Sequence, residues 1–114
     1  MMSHKTIAQQ FLQMIIDGEI TEAFEKHVAV DGFTHHNHYT PTGRDALIHG
    51  MQGNHDNFPD KTFDIEMMIE EDDKVMIYST MKFTPDHAGL RIVHIFRFID
   101  DQIVEMRDIA MQLG

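Results

Sequence analysis

The sequence contains no cysteine, no tryptophan and only three prolines. The missing cysteines exclude disulfide bonds, thiolate metal sites and thiol nucleophiles. No stretch approaches the roughly 20 consecutive apolar residues that a membrane-spanning helix needs. There is also no internal repeat, low-complexity tract or Pro/Gly/Ser-rich linker that would divide the chain. The sequence therefore predicts a single soluble domain over residues 1–114.

Positive charge is also scarce. Nine basic against 19 acidic side chains give a formal net charge of −10. Phosphate backbones and anionic membranes are bound mainly through Lys and Arg, so we expect neither nucleic acid nor a membrane as a partner. The N-terminal residues lack the long apolar run and the small-residue cleavage site of a secretory signal, and a cytoplasmic location is therefore expected.

Several catalytic and nucleotide-binding motifs are missing as well. The chain has no Gly-x-Gly-x-x-Gly or Gly-x-x-x-x-Gly-Lys loop, no Gly-x-Ser-x-Gly elbow and no His-Glu-x-x-His. We therefore expect no cofactor. Ten methionines and nine histidines, by contrast, are many for this length. Methionine packs adaptably in irregular or ligand-lined interiors, so its abundance favours an internal pocket.

Three helices are predicted in the first half of the chain. Ser3 is the expected cap of the first helix, whose apolar residues recur at helical spacing as far as Gly18. A shorter helix opens at Thr21, and a third, capped by Thr42, ends before Pro59. The inward-facing positions expected in the third helix are Leu47, Gly50 and Met51.

From residue 61 the apolar pattern changes to a period of two, which is typical of half-buried strands. Four strands are predicted near residues 61–70, 75–84, 90–99 and 102–112, with short turns between them. The buried face predicted for the first of these strands consists of Phe63, Ile65, Met67 and Ile69. Helices followed by an antiparallel meander indicate an α+β fold.

Two segments carry a family resemblance. Residues 92–108 read Ile-Val-His-Ile-Phe-Arg-Phe, an acidic reversal, Ile-Val-Glu and then Asp108, and residues 33–37 read Phe-Thr-His-His-Asn. Both resemble the SnoaL-like family of the nuclear-transport-factor-2-like superfamily. The resemblance implies a cone-shaped roll, in which N-terminal helices pack against a strongly curved, mainly antiparallel sheet around a pocket. It also implies a homodimer, and a small organic ligand.

The chemistry of that family is varied. Its members include polyketide cyclases, dehydratases, steroid isomerases and epoxide hydrolases, and others are only binding or assembly modules. Fold alone therefore does not select an activity.

The last two strands hold the main catalytic candidates. Alternation predicts one face with His94, Phe96 and Phe98 opposite Val104, Met106, Asp108 and Ala110. A carboxylate on this apolar face needs a hydrogen-bonding partner or a raised pKa, and either state suits acid/base chemistry. The resemblance aligns Asp108 with the family's recurrent aspartate, which predicts a general base. His94 stands where many relatives have Asp, and it is expected to orient Asp108 or to carry a proton itself.

The histidine-rich segment offers a third catalytic candidate. Alternation separates His36 and His38 from His35 and Asn37, so only one pair can face a pocket. The resemblance favours His36 as the catalytic residue on the pocket side and Asn37 as a ligand-positioning neighbour. His35 and His38 are expected to face solvent or to bond backbone carbonyls.

Three more residues are expected to contact the ligand. Tyr78 is a candidate hydroxyl donor to an oxyanion, or else a core tyrosine whose hydroxyl reaches the surface. Phe96 and Met106 are expected to line the apolar part of the pocket. A metal site at His36 and His38 is the less favoured alternative, because the glutamate and second histidine motif of a cupin are missing.

The sequence thus predicts a lyase or isomerase that acts on a small carbonyl compound such as a cyclic enolisable ketone. The alternative is a non-catalytic binding or dimerisation module. In that case the polar groups of the pocket would all be paired with one another, or the cavity would be filled by Met67, Met76, Met81 and phenylalanine side chains.

Overall fold

Three helices precede a four-stranded antiparallel meander, and one short strand lies between the second and third helices. The computed structural model describes residues 2–37 and 43–114. In chain order the elements are α1 (His4–Ile16), α2 (Ile20–His27), β1 (Thr34–His36), α3 (Arg44–Asn57), β2 (Thr62–Glu71), β3 (Lys74–Lys82), β4 (Leu90–Ile99) and β5 (Gln102–Gln112). The three helices and the four long strands are those predicted from the sequence.

The helix ends follow the local chemistry of the chain. Ser3 caps α1, because its hydroxyl oxygen accepts a hydrogen bond of 3.2 Å from the backbone N–H of Thr6. Gly18, with a φ of +87°, follows the end of α1 and confirms the predicted stop. Helix α2 begins at Ile20, one residue before the predicted start at Thr21. The predicted cap of α3, Thr42, lies outside the described residues.

The five strands form one open mixed sheet in the order β1-β5-β4-β3-β2. Strands β2 to β5 pair antiparallel with their neighbours in sequence, while β1 pairs parallel with β5 at the edge. The helices cover one face of the sheet, and α1 makes contacts with β2 and β3. This arrangement confirms the α+β class. Parallel strands need a long connection. The segment between β1 and β5 provides it, because it contains α3 and strands β2 to β4.

A register shift between Ile65 and Met67 changes which side chains of β2 are buried. Glu66 is the extra residue, and side chains beyond it point to the opposite face from the one that strict alternation predicts. Met68 packs against the core, while Met67 and Ile69 are about half exposed, at 50% and 51%. The prediction that these last two residues are buried is therefore wrong.

A second register shift lies between β4 and β5. Arg97 is opposite Glu105 but Phe98 is opposite Ile103, so Val104 is the extra residue. Ile103 is fully buried in place of the predicted Val104. The predicted face is otherwise confirmed, since His94 is opposite Asp108 and Phe96 is opposite Met106.

The core lies between the helices and the inner face of the sheet. Its aromatic centre joins α1, α2 and β4, because Phe11 meets both Phe24 and Phe96 edge to face with ring centroids 5.3 and 5.9 Å apart. All three rings are at most 1% exposed. Within the described parts of the chain, no helix is long and apolar enough to cross a membrane.

Candidate functional site

A pocket of about 210 Å³ lies between α1, α3 and the inner face of the sheet. Its walls are formed by the apolar faces of α1, α3 and strands β2 to β4. The apolar lining residues are Leu12, Ile15, Ile16, Leu47, Met51, Phe63, Met81 and Ile92. The predicted inward positions of α3 all lie on this wall, because Gly50 lines the pocket together with Leu47 and Met51. The pocket suits a small and largely apolar ligand.

Three polar residues interrupt this apolar lining: Asn54 on α3, Lys61 just before β2, and His94 on β4. Lys61 and His94 are buried, and the Nζ of Lys61 and the Nδ1 of His94 have no hydrogen-bond partner among the described residues. Unpaired buried polar atoms are unusual in folded proteins because each one loses its hydration without compensation. Two of the residues that carry such atoms line this pocket.

His94 is held between aromatic rings on the pocket wall. Its imidazole stacks on Phe96 with ring centroids 5.9 Å apart and meets Phe63 edge to face at 6.2 Å. Burial lowers the pKa of His94 to about 4, against a smaller raising effect of the nearby Asp108 carboxylate. Nearby His35 also lowers this pKa. The imidazole is therefore neutral near pH 7, with one ring nitrogen as a donor and the other as an acceptor.

Asp108 lies directly opposite His94 in the antiparallel pairing of β4 and β5. Side chains that are opposite one another in this way have Cβ atoms about 5 Å apart. The Asp108 carboxylate also contacts the Nε2 of His35 on β1, at hydrogen-bonding distance. Because an ionised carboxylate only accepts hydrogen bonds, Nε2 of His35 is the donor. Asp108 thus has His35 as a hydrogen-bonding partner on the β1 side, while His94 lies on the β4 side. A carboxylate on an apolar face requires such a partner.

Asp108 is not among the described residues of the pocket lining, and its side chain is 23% exposed. It lies beside the pocket, next to the wall that His94 forms. The structure therefore brings together two of the three predicted catalytic residues, Asp108 and His94, on the helix-covered face of the sheet.

The third predicted catalytic residue, His36, points to the opposite face. Its Nε2 lies 3.4 Å from a carboxylate oxygen of Glu105, which also pairs with Arg97 and Arg107. The expected orientation of β1 is therefore wrong by one residue, and His35 rather than His36 lies beside Asp108. Phe33 shares the face of His35 and is buried. The apolar residue Phe33 could have predicted that His35 faces the core, since alternate residues of a strand share a face.

Tyr78 also lies on the outer face of the sheet. Its hydroxyl accepts a hydrogen bond of 2.6 Å from Arg91, which in turn lies 3.4 Å from Glu66. The neighbouring inward positions of β3 are Ile77 and Ser79, both fully buried. Tyr78 is therefore the tyrosine whose hydroxyl reaches the surface, and the prediction that it donates to an oxyanion in the pocket is wrong.

The remaining predicted ligand contacts lie close to the pocket without lining it. Phe96 and Met106 are opposite one another on the inner face and are at most 1% exposed, so they belong to the closed core. Asn37 is half-buried directly after β1 and is not part of the described lining. Phe96 nevertheless contributes to the site, since its ring supports the imidazole of His94.

Lys61 and Asn54 are polar pocket residues that sequence reasoning missed. The period of two that marks β2 places Lys61 on the same face as Phe63 and Ile65 when it is extended by one step. A lysine at a strand end normally extends into solvent, so Lys61 was not predicted to line the pocket.

No group of three or more His, Asp or Glu side chains in residues 2–37 and 43–114 is arranged to hold a metal ion. His38, the second ligand in the metal alternative, lies outside the described residues. His36, the first, is engaged with Glu105 on the outer face.

Comparisons with known proteins agree with this architecture. The sequence profile of the SnoaL-like domain matches residues 8–106. No curated protein sequence matches the chain. Among solved structures, an NTF2-like protein of unknown function from Cytophaga hutchinsonii is 11% identical, with 97% of this chain and 92% of that chain covered and a TM-score of 0.79.

Two further structures have stated activities. An LEH-like epoxide hydrolase of M. tuberculosis is 12% identical, with 95% and 82% of the two chains covered and a TM-score of 0.78. IdmH of Streptomyces antibioticus, provisionally assigned as a polyketide cyclase, is 15% identical, with 96% and 92% covered and a TM-score of 0.79. At these identities the likeness shows the shared fold.

Proposed function

The chain belongs to the SnoaL-like family, and we propose that it binds a small, largely apolar carbonyl compound and moves a proton at the carbon next to the carbonyl. One observation carries this proposal. The buried His94 lines the pocket, its Nδ1 has no partner among the described residues, and it lies directly opposite Asp108. A donor and a base in adjacent positions are what enolisation requires.

In the proposed reaction, an N–H of His94 donates a hydrogen bond to the carbonyl oxygen of the ligand. The Asp108 carboxylate accepts the proton from the neighbouring carbon, and the C–H electrons form the enolate. His35 holds the carboxylate by donating a hydrogen bond to it. Return of the proton to a different carbon gives an isomerase, and departure of a leaving group from the next carbon gives a lyase.

The low pKa of His94, about 4, supports the role of a neutral donor. A neutral imidazole polarises a carbonyl without giving up its proton fully, and burial keeps water from competing for the hydrogen bond. The aromatic rings of Phe63 and Phe96 hold the imidazole in position.

A binding module without chemistry is the competing function. Two features of the pocket argue against it. The Nζ of Lys61 and the Nδ1 of His94 have no partner among the described residues. Met67 and Met76 lie on the outer face, and Met81 and Phe63 line the pocket but leave about 210 Å³ open. The polyketide cyclase assignment of IdmH and the epoxide hydrolase name of the M. tuberculosis protein agree with acid/base chemistry in this fold.

Exchange of carbon-bound protons tests the proposal directly. β-Tetralone, a small bicyclic ketone, would be incubated with the protein in D₂O, and deuterium at the carbons beside the carbonyl would be followed by NMR. We expect exchange above the buffer rate, and a loss of roughly 10²- to 10⁴-fold in Asp108→Asn. Asp64→Asn, which changes an exposed aspartate of β2, is the matched control and keeps the full rate.

Binding of the ketone without protein-dependent exchange, in wild type and in Asp108→Asn alike, would support the binding module instead. A wild-type rate that Asp108→Asn leaves unchanged would remove Asp108 from the mechanism.

The outer face of the sheet supports a second part of the proposal, a homodimer. Register places Met67, Tyr78, Val93 and Ile109 in one row across β2 to β5. The next row consists of Ile69, Met76, Ile95 and Arg107. Exposed apolar patches of this extent are rare on monomeric proteins unless they bind a partner or a ligand. A second copy of the chain offers the same self-complementary face, and we propose that it covers these rows.

A further inference from the structure

Lys61 is a basic pocket residue that the proposed reaction does not use. It is 7% exposed, its Nζ has no hydrogen-bond partner among the described residues, and it lines the pocket together with His94. Its backbone is fixed at the start of β2, where its N–H donates to the carbonyl of Phe58 at 3.3 Å. The side chain points inward along the face of Phe63 rather than out to water.

An ammonium in this position lacks a counter-charge. No Asp or Glu is among the described lining residues, and the only other titratable group on this wall is His94. Burial lowers the pKa of Lys61, since an apolar environment disfavours the charged amine. An isolated buried charge is destabilising, so its retention is best explained by a ligand group that pairs with it.

We propose that Lys61 binds a carboxylate of the ligand, so that the substrate class is a small carbonyl compound with an apolar body and one carboxylate. This inference rests on the proposed function. The pocket presents Lys61 and His94 at separate points of an apolar wall, one just before β2 and the other on β4. The carboxylate pairs with Lys61 while the carbonyl oxygen accepts from His94, and the apolar residues between them cover the body of the ligand.

A matched pair of probes tests the inference. β-Tetralone and a β-tetralone that carries one carboxylate would be titrated into the protein by calorimetry. We expect the carboxylate to bind at least tenfold more tightly than the neutral ketone, because its partner is a buried and otherwise unpaired charge. Lys61→Met removes this preference, so that the two probes bind this variant with similar affinity. Lys82→Met, at an exposed lysine, keeps the preference.

Proton linkage provides a second readout. The pKa of Lys61 is lowered in the empty pocket, so pairing with a carboxylate raises it and the complex takes up a proton at alkaline pH. His94 does not contribute in that range because its pKa is about 4. Titrations in buffers of different ionisation enthalpy measure the uptake. We expect uptake with the carboxylate and none with the neutral ketone, and no uptake with either probe in Lys61→Met.

Stability separates a binding role from a structural one. Lys61→Met removes an unpaired buried charge, so the empty variant should unfold at an equal or higher urea concentration than wild type. Marked loss of stability would instead show that Lys61 supports the fold and would overturn the inference. Lys61→Arg retains the charge and should retain part of the carboxylate preference.

The remaining outcomes distinguish the inference from the proposed function. Equal affinity for the two probes in wild type contradicts the role of Lys61 and leaves the proton transfer intact. Failure of both probes to bind contradicts the pocket as a ligand site and removes both proposals. Trapping of the neutral ketone on Lys61 by cyanoborohydride would show a neutral nucleophilic amine, and this result would also overturn carboxylate binding.

Discussion

At the scale of single residues, the site depends on which of two adjacent histidines faces the core. His35 donates to Asp108, and His36 meets Glu105 on the other side of the sheet. Sequence alternation correctly separated the two, and the family pattern selected the wrong one. The buried side chain of Phe33 decides the orientation, because it anchors the face that His35 shares.

In the proposed reaction His35 positions Asp108, so its loss should slow the reaction without weakening binding. We expect His35→Gln to reduce the exchange rate of β-tetralone at saturation roughly 10- to 100-fold, since a freed carboxylate loses its reactive orientation. The KM should stay within about twofold of the wild-type value, because His35 contributes no binding contact in this account. His36→Gln is the control and should retain the wild-type rate. Equal losses in the two variants would contradict the assignment.

His94 should make stability depend on pH in a defined window. Its folded pKa is about 4 and the unfolded value about 6.5, so the unfolded chain binds more protons between these values. Stability therefore falls as the pH drops through this window and levels off below it. From pH 7 to pH 5 we expect wild type to lose about 2 kcal/mol more than His94→Leu in urea titrations.

The pKa of buried His27 is also lowered, by burial and by the adjacent Lys26. This residue is present in both proteins, so its effect cancels in the comparison. Identical pH dependence in wild type and in His94→Leu would show that His94 is not buried in its neutral form.

At the scale of elements, apolar periodicity was sufficient to predict the three helices and the four long strands, and the Ser3 cap predicted the start of α1. The N-cap position of α3 is Gly43, one residue after the predicted cap.

Periodicity and capping did not predict the two register shifts. Each shift adds one residue, Glu66 on β2 and Val104 on β5, and thereby reverses or displaces the faces beyond it. Which residue is extra depends on the hydrogen-bond pairing with a neighbouring strand. The alternation pattern within one strand gives no information about that pairing. In the sequence, the shift on β2 corresponds to two adjacent apolar residues, Met67 and Met68, which interrupt the alternation.

The junction between α1 and α2 should be intolerant of a side chain at Gly18. Its φ of +87° is unfavourable for other residues, and an added Cβ would overlap the imidazole of His55 on α3. We expect Gly18→Ala to lower the free energy of unfolding by more than about 1 kcal/mol.

Gly53 provides the matched comparison, since it lies within α3 with open space around an added Cβ. Gly53→Ala should raise the free energy of unfolding by up to about 1 kcal/mol, because alanine is the better helix former. Urea titrations measure both variants. A neutral Gly18→Ala would contradict the close contact between Gly18 and His55.

At the scale of the whole molecule, the two faces of the sheet have different roles. The inner face carries the core, the pocket and the pair of His94 and Asp108. The outer face carries the two rows of apolar side chains that we propose a second copy covers, and Ile109 is 65% exposed there. The sequence predicted this division, and the differences are the placement of Tyr78 and His36, of two β2 side chains, and of Ile103 in place of Val104.

The homodimer is testable by mass in solution. We expect a particle of twice 13.2 kDa by light scattering. Ile109→Glu places a charge at the β5 end of the first apolar row and should give a monomer. Val30→Glu changes a residue that is 74% exposed in the segment after α2 and belongs to neither apolar row, and this variant should remain dimeric. A monomeric wild-type protein at all concentrations would contradict the dimer and leave the pocket proposal unaffected.

The central claim is that the carbonyl ligand binds between α1, α3 and the inner face of the sheet, with His94 at its polar end. The most direct measurement is isotope-edited NMR of β-tetralone bound to protein with labelled Leu, Ile and Met methyl groups. The claim predicts nuclear Overhauser contacts from the ketone to Leu47 and Ile92, and a changed His94 ring resonance. Contacts only to outer-face methyls such as Ile69 and Ile109, with His94 unchanged, would contradict it.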